Sequence, residues 1–275
     1  MHRQRRASWR LALVAAGVLA CGAGVAAREL RAETSRAWST YVQATEGRIA
    51  RELRDGTRFL TLDFGLTASA DRAGLRAGKI VMRKVETTDA RGQEIDVPSG
   101  MIHHWAGAIF VPGATLDRFM QQLRSTPPET FQLDVLKSAI LEQGPDMTRM
   151  FLRVQRTKIV TVVYNTEHVV AYRQEGPTRV SSTSHATRIA ELANPGTPSE
   201  HEQPPGQDRG FMWGWNSYWR YEQVDGGVLV ECESVSMSRS IPAVIRYLIN
   251  PIIDGVARES MERTLTAIRG QFEKK

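Results

Sequence analysis

Residues 210–238 have the pattern of a long β-hairpin, and this segment constrains the fold more than any other. Two runs rich in aromatic and β-branched residues flank the sequence Val224-Asp225-Gly226-Gly227. Asp-Gly adopts the positive φ values of a tight turn at low cost, which predicts a two-residue loop between the two strands. With that loop, Trp219 lies opposite Cys232 and the register of the whole hairpin follows.

This register divides the hairpin side chains between two faces. One face carries the aromatic residues Trp213, Trp215, Trp219 and Tyr221. The other face carries polar residues, namely Asn216, Tyr218, Arg220 and Glu222 against Glu231 and Glu233, with Arg220 opposite Glu231 as a cross-strand ion pair. A slip of one residue would reverse every side chain. We predict that the aromatic face is the interior one.

Two helices are predicted after the hairpin. The first is short, near Ile241–Leu248, and the second runs from Pro251 to about Phe272. Asn250 is a suitable cap for the second helix, and Pro251 suits its first position because the missing N–H costs nothing there. At 100° per residue one arc of this helix is apolar or small. That arc contains Ile253, Val256, Ala257, Ser260, Met261, Thr264, Leu265, Ile268 and Phe272.

The middle of this arc is small, at Ala257, Ser260 and Thr264. On the aromatic face of the hairpin, the second strand carries small residues as well: Cys232 opposite Trp219, Ser234 opposite Ser217 and Ser236 opposite Trp215. Small residues that face each other allow either a very close contact between helix and sheet or an unfilled space roofed by aromatic rings. Both alternatives remain open at this point.

Three fragments carry a resemblance to a known superfamily. They are Trp215-Asn216-Ser217-Tyr218-Trp219-Arg220-Tyr221 followed by Gly-Gly-Val-Leu-Val-Glu-Cys-Glu-Ser, the helix sequence Arg258-Glu259-Ser260-Met261, and Ile109-Phe110-Val111-Pro112-Gly113-Ala114-Thr115-Leu116-Asp117. From about Ser35 to its end the chain resembles START-like (Bet v 1-like, helix-grip) domains. The resemblance implies an antiparallel sheet that curls around a long last helix, with a ligand cavity between them. The superfamily shares no catalytic motif, so no catalytic residue is carried over.

The expected architecture is therefore an α+β helix-grip domain over residues 28–275, with an N-terminal helix near Ala32–Arg54. The expected function is noncovalent binding of a hydrophobic or amphipathic, lipid-like molecule between sheet and C-terminal helix. The predicted ligand-binding residues are Trp215, Trp219, Tyr221, Cys232, Ala257, Ser260, Met261 and Thr264. Two alternatives stay open: a cavity enzyme of the polyketide cyclase/aromatase or hydrolase type, and a ligand-free structural or interaction module.

The remaining segments predict mainly β-structure. Strands are expected near residues 58–64, 79–87, 94–97 and 101–111, a loop over Ala68–Ala77, and a short helix over Leu116–Leu123. Residues 133–190 read as an antiparallel meander with turns at Gln143–Asp146, Asn165-Thr166 and Glu175–Pro177. The proline-rich segment Asn194–Arg209 reads as a surface loop, with a lid as the alternative.

The sequence contains no motif for a nucleophile, a phosphate loop or a metal site, so neither catalysis nor a cofactor is predicted. His103 and His104 are neighbours on a strand and point to opposite faces. A cluster of His104, His168 and a glutamate is conceivable, although no spacing signature supports it.

In the basic run of the meander, Arg149 and Arg153 share one face, while Arg156 and Lys158 share the other. A solvated strand face and a contact with an anionic head group are the two readings of this run.

The N-terminal segment resembles an export signal. Four arginines precede the apolar run Leu11–Ala20, and Val25-Ala26-Ala27 fits a signal-peptidase site. Removal of residues 1–27 lowers the net charge from +6 to +2, which excludes a nucleic-acid partner on charge grounds. Leu11–Ala27 would span about 26 Å as a helix, less than the ~30 Å of a bilayer core. An exported, periplasmic protein is expected; a lipoprotein through Cys21 or an N-terminal anchor is the alternative.

Cys232 is the single cysteine after the signal, so no internal disulfide is expected. The expected partners are a hydrophobic or lipid-like small molecule and, as an open alternative, a membrane surface. The sequence defines neither the identity of the ligand nor the oligomeric state.

The predicted signal gives a direct test. N-terminal sequencing of the protein from the exported fraction should start near Arg28, because the small residues before it fit signal peptidase. An intact Met1 on protein from the cytoplasmic fraction would contradict the prediction.

Overall fold

The computed structural model describes residues 32–157, 160–204, 206–240 and 243–273, with side chains in the last segment given for 255–272. Its helices are α1 (Ala32–Glu52), α2 (Ala68–Arg76), α3 (Leu116–Ser125) and α4 (Ala243–Glu273), with 3-10 helices at Thr61–Phe64 and Pro128–Thr130. Its strands are β1 (Val81–Lys84), β2 (Gly100–Pro112), β3 (Val135–Gln143), β4 (Met147–Thr157), β5 (Thr161–Gly176), β6 (Arg179–Ala193), β7 (His201–Glu202), β8 (Gly214–Val224) and β9 (Gly227–Arg239). No described helix is both long and apolar enough to cross a membrane.

All described strands belong to one antiparallel sheet with the order β1-β2-β9-β8-β6-β5-β4-β3, and β7 pairs with β6 beside this path. The long helix α4 packs across β2 and β9. An N-terminal helix precedes the sheet, and consecutive strands β3 to β6 form the predicted meander. The chain thus has the helix-grip α+β fold that the sequence predicts.

The predicted register of the hairpin β8–β9 is confirmed. Trp219 lies opposite Cys232, and Arg220 lies opposite Glu231. Gly226 in the two-residue loop has a φ of +82°, the left-handed conformation in which glycine has no steric penalty. The loop therefore sets the register, and the register sets which side chains share a face.

The sheet is covered on both of its faces. The grip face points toward α3 and α4 and includes Gly107, Trp219, Tyr221 and Cys232. The back face points toward α1, α2 and the 3-10 helix Thr61–Phe64, and includes His104, Arg220, Glu231 and Glu233. Tyr41 and Ile49 of α1 pack against Tyr218 and Val235 of the back face. The polar face of the hairpin is therefore also interior, whereas the sequence pointed to the aromatic face alone.

The core beneath the grip face joins α3, α4 and the central strands. Its buried members include Ile109, Phe119, Val230, Leu265 and Ile268. The ring of Phe119 stacks on that of Phe272 with the centroids 4.8 Å apart. At this end the space between helix and sheet is filled by side chains.

Several predicted elements are wrong. Residues 58–64 form a loop and a 3-10 helix, because Asp63 accepts hydrogen bonds from the amides of Phe59 and Leu60 and so competes with a strand ladder. Residues 68–76 form α2, which is anchored by the buried Leu75. Residues 94–97 contribute only an isolated bridge from Glu94 to Thr88.

Two predicted breaks in the chain are also absent from the described backbone. Asn165 and Thr166 lie inside β5, where Asn165 bonds with the side chains of Arg153 and Glu202 instead of forming a turn. A single helix α4 replaces the two predicted helices and continues through Asn250 and Pro251. A proline inside a helix removes one backbone hydrogen bond, so it weakens the helix at this point without ending it.

At Gly107 the side chains of β1 and α4 pack tightly against the sheet backbone. A Cβ atom at this position would lie 2.5 Å from the Met82 sulfur, 2.8 Å from the Met261 sulfur and 2.9 Å from Leu265 Cδ1. Gly107→Ala should destabilise the fold by ~1–3 kcal/mol through overpacking. Gly270→Ala is the matched control, since a Cβ at Gly270 has no neighbour within 4 Å; in a helix this change should stabilise by up to ~1 kcal/mol. Urea unfolding curves that shift in the same direction for both variants would contradict the close contact.

Candidate functional site

The predicted ligand-binding residues lie at the grip face and on α4, in two groups. Tyr221, Cys232 and Met261 are buried in the main core cluster, and Trp219 packs against it while remaining partly exposed. The rings of Trp219 and Tyr221 are parallel, with centroids 6.3 Å apart. Ala257, Ser260 and Thr264 lie on α4 and are partly exposed.

Trp215 belongs to the second group, farther along the same face. It packs against the buried cluster of Val135, Val154, Val162 and Tyr164. Its ring meets His168 edge-on, with centroids 4.9 Å apart. The structure therefore places the two tryptophans on one face, as predicted, but at different ends of it.

Between these groups the grip face stays partly exposed, beside the contact of α4 with β2 and β9. The side chains that show this are Trp105, Ser184, Trp215, Ser217, Trp219, Ser234 and Ser236. The back-face residues of the same strands are buried, namely Asn216, Tyr218, Arg220, Glu231, Glu233 and Val235. Short serine side chains fill little volume, so they leave room beside the larger indole rings. The central grip face is thus an aromatic and small-polar surface accessible to solvent.

A polar group borders this surface beside Trp215. Arg156 projects from β4 onto the grip face and pairs with Asp134 at 2.6 Å. Its guanidinium lies 5.7 Å from the centre of the Trp215 ring. Ser260 of α4 donates to the same carboxylate of Asp134 at 3.4 Å. Sheet and C-terminal helix therefore meet at an arginine–carboxylate pair.

Burial shapes the ionisation of this group. Desolvation lowers the pKa of Arg156, and the charge of Asp134 opposes that shift. Desolvation also raises the pKa of Tyr164 well above its ordinary value. The Tyr164 hydroxyl is buried and has no hydrogen-bond partner among the described residues. A buried hydroxyl without a partner costs free energy. The Tyr164 hydroxyl is therefore available to donate a hydrogen bond.

Arg156 and Asp134 are absent from the predicted ligand-binding set. Alternation along β4 correctly places Arg156 on the face opposite Arg149 and Arg153. Strand alternation was therefore the available signal for Arg156. It does not say which face of β4 is the grip face, and only the structure shows that Arg156 lies on it. Lys158 lies outside the described residues.

The conceivable cluster of His104, His168 and a glutamate does not form. His104 lies on the back face and bonds with Tyr41 and Glu233, whereas His168 lies on the grip face and bonds with Thr166 and Ser184. Across the described part of the chain, no three His, Cys, Asp or Glu residues are placed to hold a metal ion. Burial raises the pKa of the Cys232 thiol well above its usual value, which leaves it a small core residue.

The back face contains a buried ionic network. Arg220 is 2% exposed; it pairs with Glu52 of α1 at 2.6 Å and donates to the Phe59 carbonyl at 2.7 Å. Glu231 accepts from the amides of Thr61 and Leu62 at 2.6 and 3.0 Å. Burial raises the pKa of Glu231 to about 7, against the opposing charge of Arg220. These bonds fasten the segment after α1 onto the sheet.

Glu233 is the second acidic centre of the network. It accepts from His104 Nε2 at 2.7 Å and pairs with Arg48 of α1. Burial alone would raise its pKa, but the bond from His104 and the charge of Arg48 outweigh burial and lower the pKa to about 2. The network lies between α1 and the sheet, and its bonds hold the two together.

Comparison with known proteins gives structural likenesses only. No protein-family model matches the sequence, and no curated protein matches it. The fold is similar to a STAR-related lipid transfer protein from Xanthomonas axonopodis (16% identity, 70% of this chain and 99% of that chain, TM-score 0.42).

Two further solved structures are similar to this chain with comparable identities and TM-scores. One is the lipid transfer and protein localization domain of human StarD13 (8% identity, 76% and 98% coverage, TM-score 0.43). The other is the ZhuI aromatase/cyclase from Streptomyces sp. R1128 (13% identity, 63% and 95% coverage, TM-score 0.41). Likenesses of this size do not transfer a ligand or a reaction to this chain.

His168 predicts a pH dependence of stability. Burial lowers its pKa from 6.5 to about 4, so the unfolded chain binds a proton between these values and the folded chain does not. Stability is then complete above pH 6.5 and falls as the pH drops toward 4, by up to ~3 kcal/mol from this residue. His168→Gln should remove this part of the loss. Urea unfolding at pH 7 and pH 4.5 measures it, and an equal loss in both proteins would contradict the assignment.

Proposed function

We propose that this protein binds an amphipathic small molecule noncovalently in the space between the grip face and α4. The observation that carries the proposal is the partial exposure of the central grip face beside α4. Trp105, Trp215 and Trp219 offer flat apolar walls there, and the serines between them offer room and hydrogen bonds. Pockets that combine apolar walls with a few polar groups are the usual form of a small-molecule site.

The polar group beside Trp215 suggests how such a ligand would be oriented. One terminal nitrogen of Arg156 contacts Asp134 and the Gln155 carbonyl. Its other donors make no hydrogen bond with the described residues. Together with the Tyr164 hydroxyl they fit a head group that accepts hydrogen bonds, such as a carboxylate, while the indole rings fit an apolar body.

The enzyme alternative lacks an observation in its favour. A reaction needs a nucleophile, or an acid and a base, that converge on one point. On the described grip face, His168 is bonded to two hydroxyl groups, Cys232 is a buried thiol, and Asp134 is paired with Arg156. Binding is therefore the function we propose.

We also propose that the protein binds its ligand outside the cytoplasm. This second proposal rests on the N-terminal sequence alone.

A pair of arginine variants tests the proposal. Binding of a fluorescent fatty acid and of the corresponding fatty alcohol is measured by titration. Arg156→Met should weaken the acid ~10- to 100-fold, as expected for a lost charge-assisted hydrogen bond, and should leave the alcohol nearly unchanged. Arg149→Met is the matched control, because Arg149 lies on the same strand with its side chain on the back face, and it should change neither affinity.

The outcomes separate the alternatives. If wild-type protein binds neither probe, the space is filled and the ligand-free module is the better account. If Arg156→Met weakens both probes equally, the arginine supports the fold and does not contact a head group. Thermal melts of each variant show whether the protein is folded under the binding conditions.

A further inference from the structure

Strand β3 is an edge strand with an exposed apolar surface. It ends the sheet path, and no described strand pairs with its outer edge. Leu136, Ile140 and Leu141 are 48%, 53% and 48% exposed, and Leu133 just before the strand is 95% exposed. A clustered set of this kind, unlike a single exposed leucine, indicates an interaction surface.

Two irregularities in β3 determine where these side chains point. The pairing with β4 shifts between Val135 and Lys137, and again between Ile140 and Glu142. Each shift leaves one leucine, Leu136 or Leu141, outside the ladder. Bulges of this kind redirect side chains at the edges of sheets.

The second bulge also places Lys137 and Glu142 on the same face of the sheet. Lys137 lies opposite Arg153 and Glu142 lies opposite Arg149, and both arginines project to the back face. In an unbroken strand, residues five positions apart point to opposite faces. The bulge at Leu141 therefore gives β3 one positive and one negative side chain on a single face, on either side of Ala139.

Lys137 lacks a counter-charge among the described residues. Its cross-strand neighbour Arg153 has the same charge and pairs with Glu200. Lys137 forms no ion pair with any residue in the described part of the chain. Like charges that face each other across a ladder are unfavourable, so an acidic partner at this edge would be a gain.

We propose that β3 pairs antiparallel with β3 of a second copy of this chain, around a two-fold axis at Ala139. In that register Lys137 of each copy faces Glu142 of the other, and Ser138 faces Ile140, so every pair shares a face. The exposed leucines of the two copies then approach each other along the contact between the two β3 strands. A two-fold contact of identical strands closes on itself and leaves neither edge open.

Charge complementarity favours a second copy over a membrane as the occupant of this edge. Glu142 pairs with Arg149 of β4 at 3.6 Å, so Lys137 is the charge of β3 that lacks a partner among the described residues. Insertion of the leucines into lipid brings Lys137 to the bilayer without a counter-charge, whereas pairing with a second copy gives Lys137 of each copy a carboxylate. The proposal is independent of the ligand site, which lies on the grip face at the centre of the sheet.

Sedimentation velocity over a range of protein concentrations tests the dimer on the purified protein as the cell makes it. Wild-type protein should pass from monomer to dimer as its concentration rises. Lys137→Glu should weaken the dimer by about tenfold or more, because two attractive pairs become repulsive. Glu142→Lys should do the same, and the double variant should restore the dimer because it exchanges the charges. Arg118→Glu, an exposed charge reversal on α3, is the control and should have no effect.

Three results would overturn the proposal. The first is a monomeric wild-type protein at all concentrations. The second is a double variant that dimerises no better than the single variants, provided that their melting temperatures match. The third is a monomeric wild-type protein that sediments with phosphatidylglycerol vesicles while its Leu136→Ser and Leu141→Ser variants do not. That result would assign the edge to a membrane.

Discussion

The arrangement depends on the burial of charged side chains on the back face of the sheet. Arg220, Glu231 and Glu233 are each at most 2% exposed, and charges at such depth persist only when they are paired and hydrogen-bonded. Arg48 and Glu52 of α1, with the backbone after it, supply those partners. Removing one partner of a buried pair typically costs ~3–5 kcal/mol. The N-terminal helix is therefore fixed on the sheet over this charged network.

The grip face, on the other side of the sheet, is where we propose that a ligand binds. The contact between α4 and the sheet differs along the helix. At Gly107 the helix packs against the sheet with no room for a Cβ, and the side chains of Met261 and Leu265 fill the space. Farther along, Ser260 reaches the Asp134 carboxylate, and the serines and tryptophans of the central strands stay partly exposed. One helix thus seals one end of the sheet and borders an accessible surface at the other.

The sequence predicts features that depend on local chemistry. The Asp-Gly loop defines the register of β8–β9, and alternation in β4 separates Arg156 from Arg149 and Arg153. Features that depend on distant segments were not predictable. The burial of Arg220 requires Glu52, 168 residues away in the chain. A carboxylate at Asp63 turned a predicted strand into a helical turn by capturing two amides. The site is subject to the same limit, since Asp134 and Arg156 meet only once β3 and β4 have paired.

Native mass spectrometry of the protein purified from its own host tests most directly whether the grip face holds an amphipathic molecule. We expect one small molecule per chain, released on denaturation and carrying both an apolar body and a head group that accepts hydrogen bonds. Thr264→Leu, which adds bulk on α4 at a partly exposed position, should reduce the bound fraction without loss of fold. A protein that carries no ligand from its host and also takes up no fatty-acid probe would contradict the account.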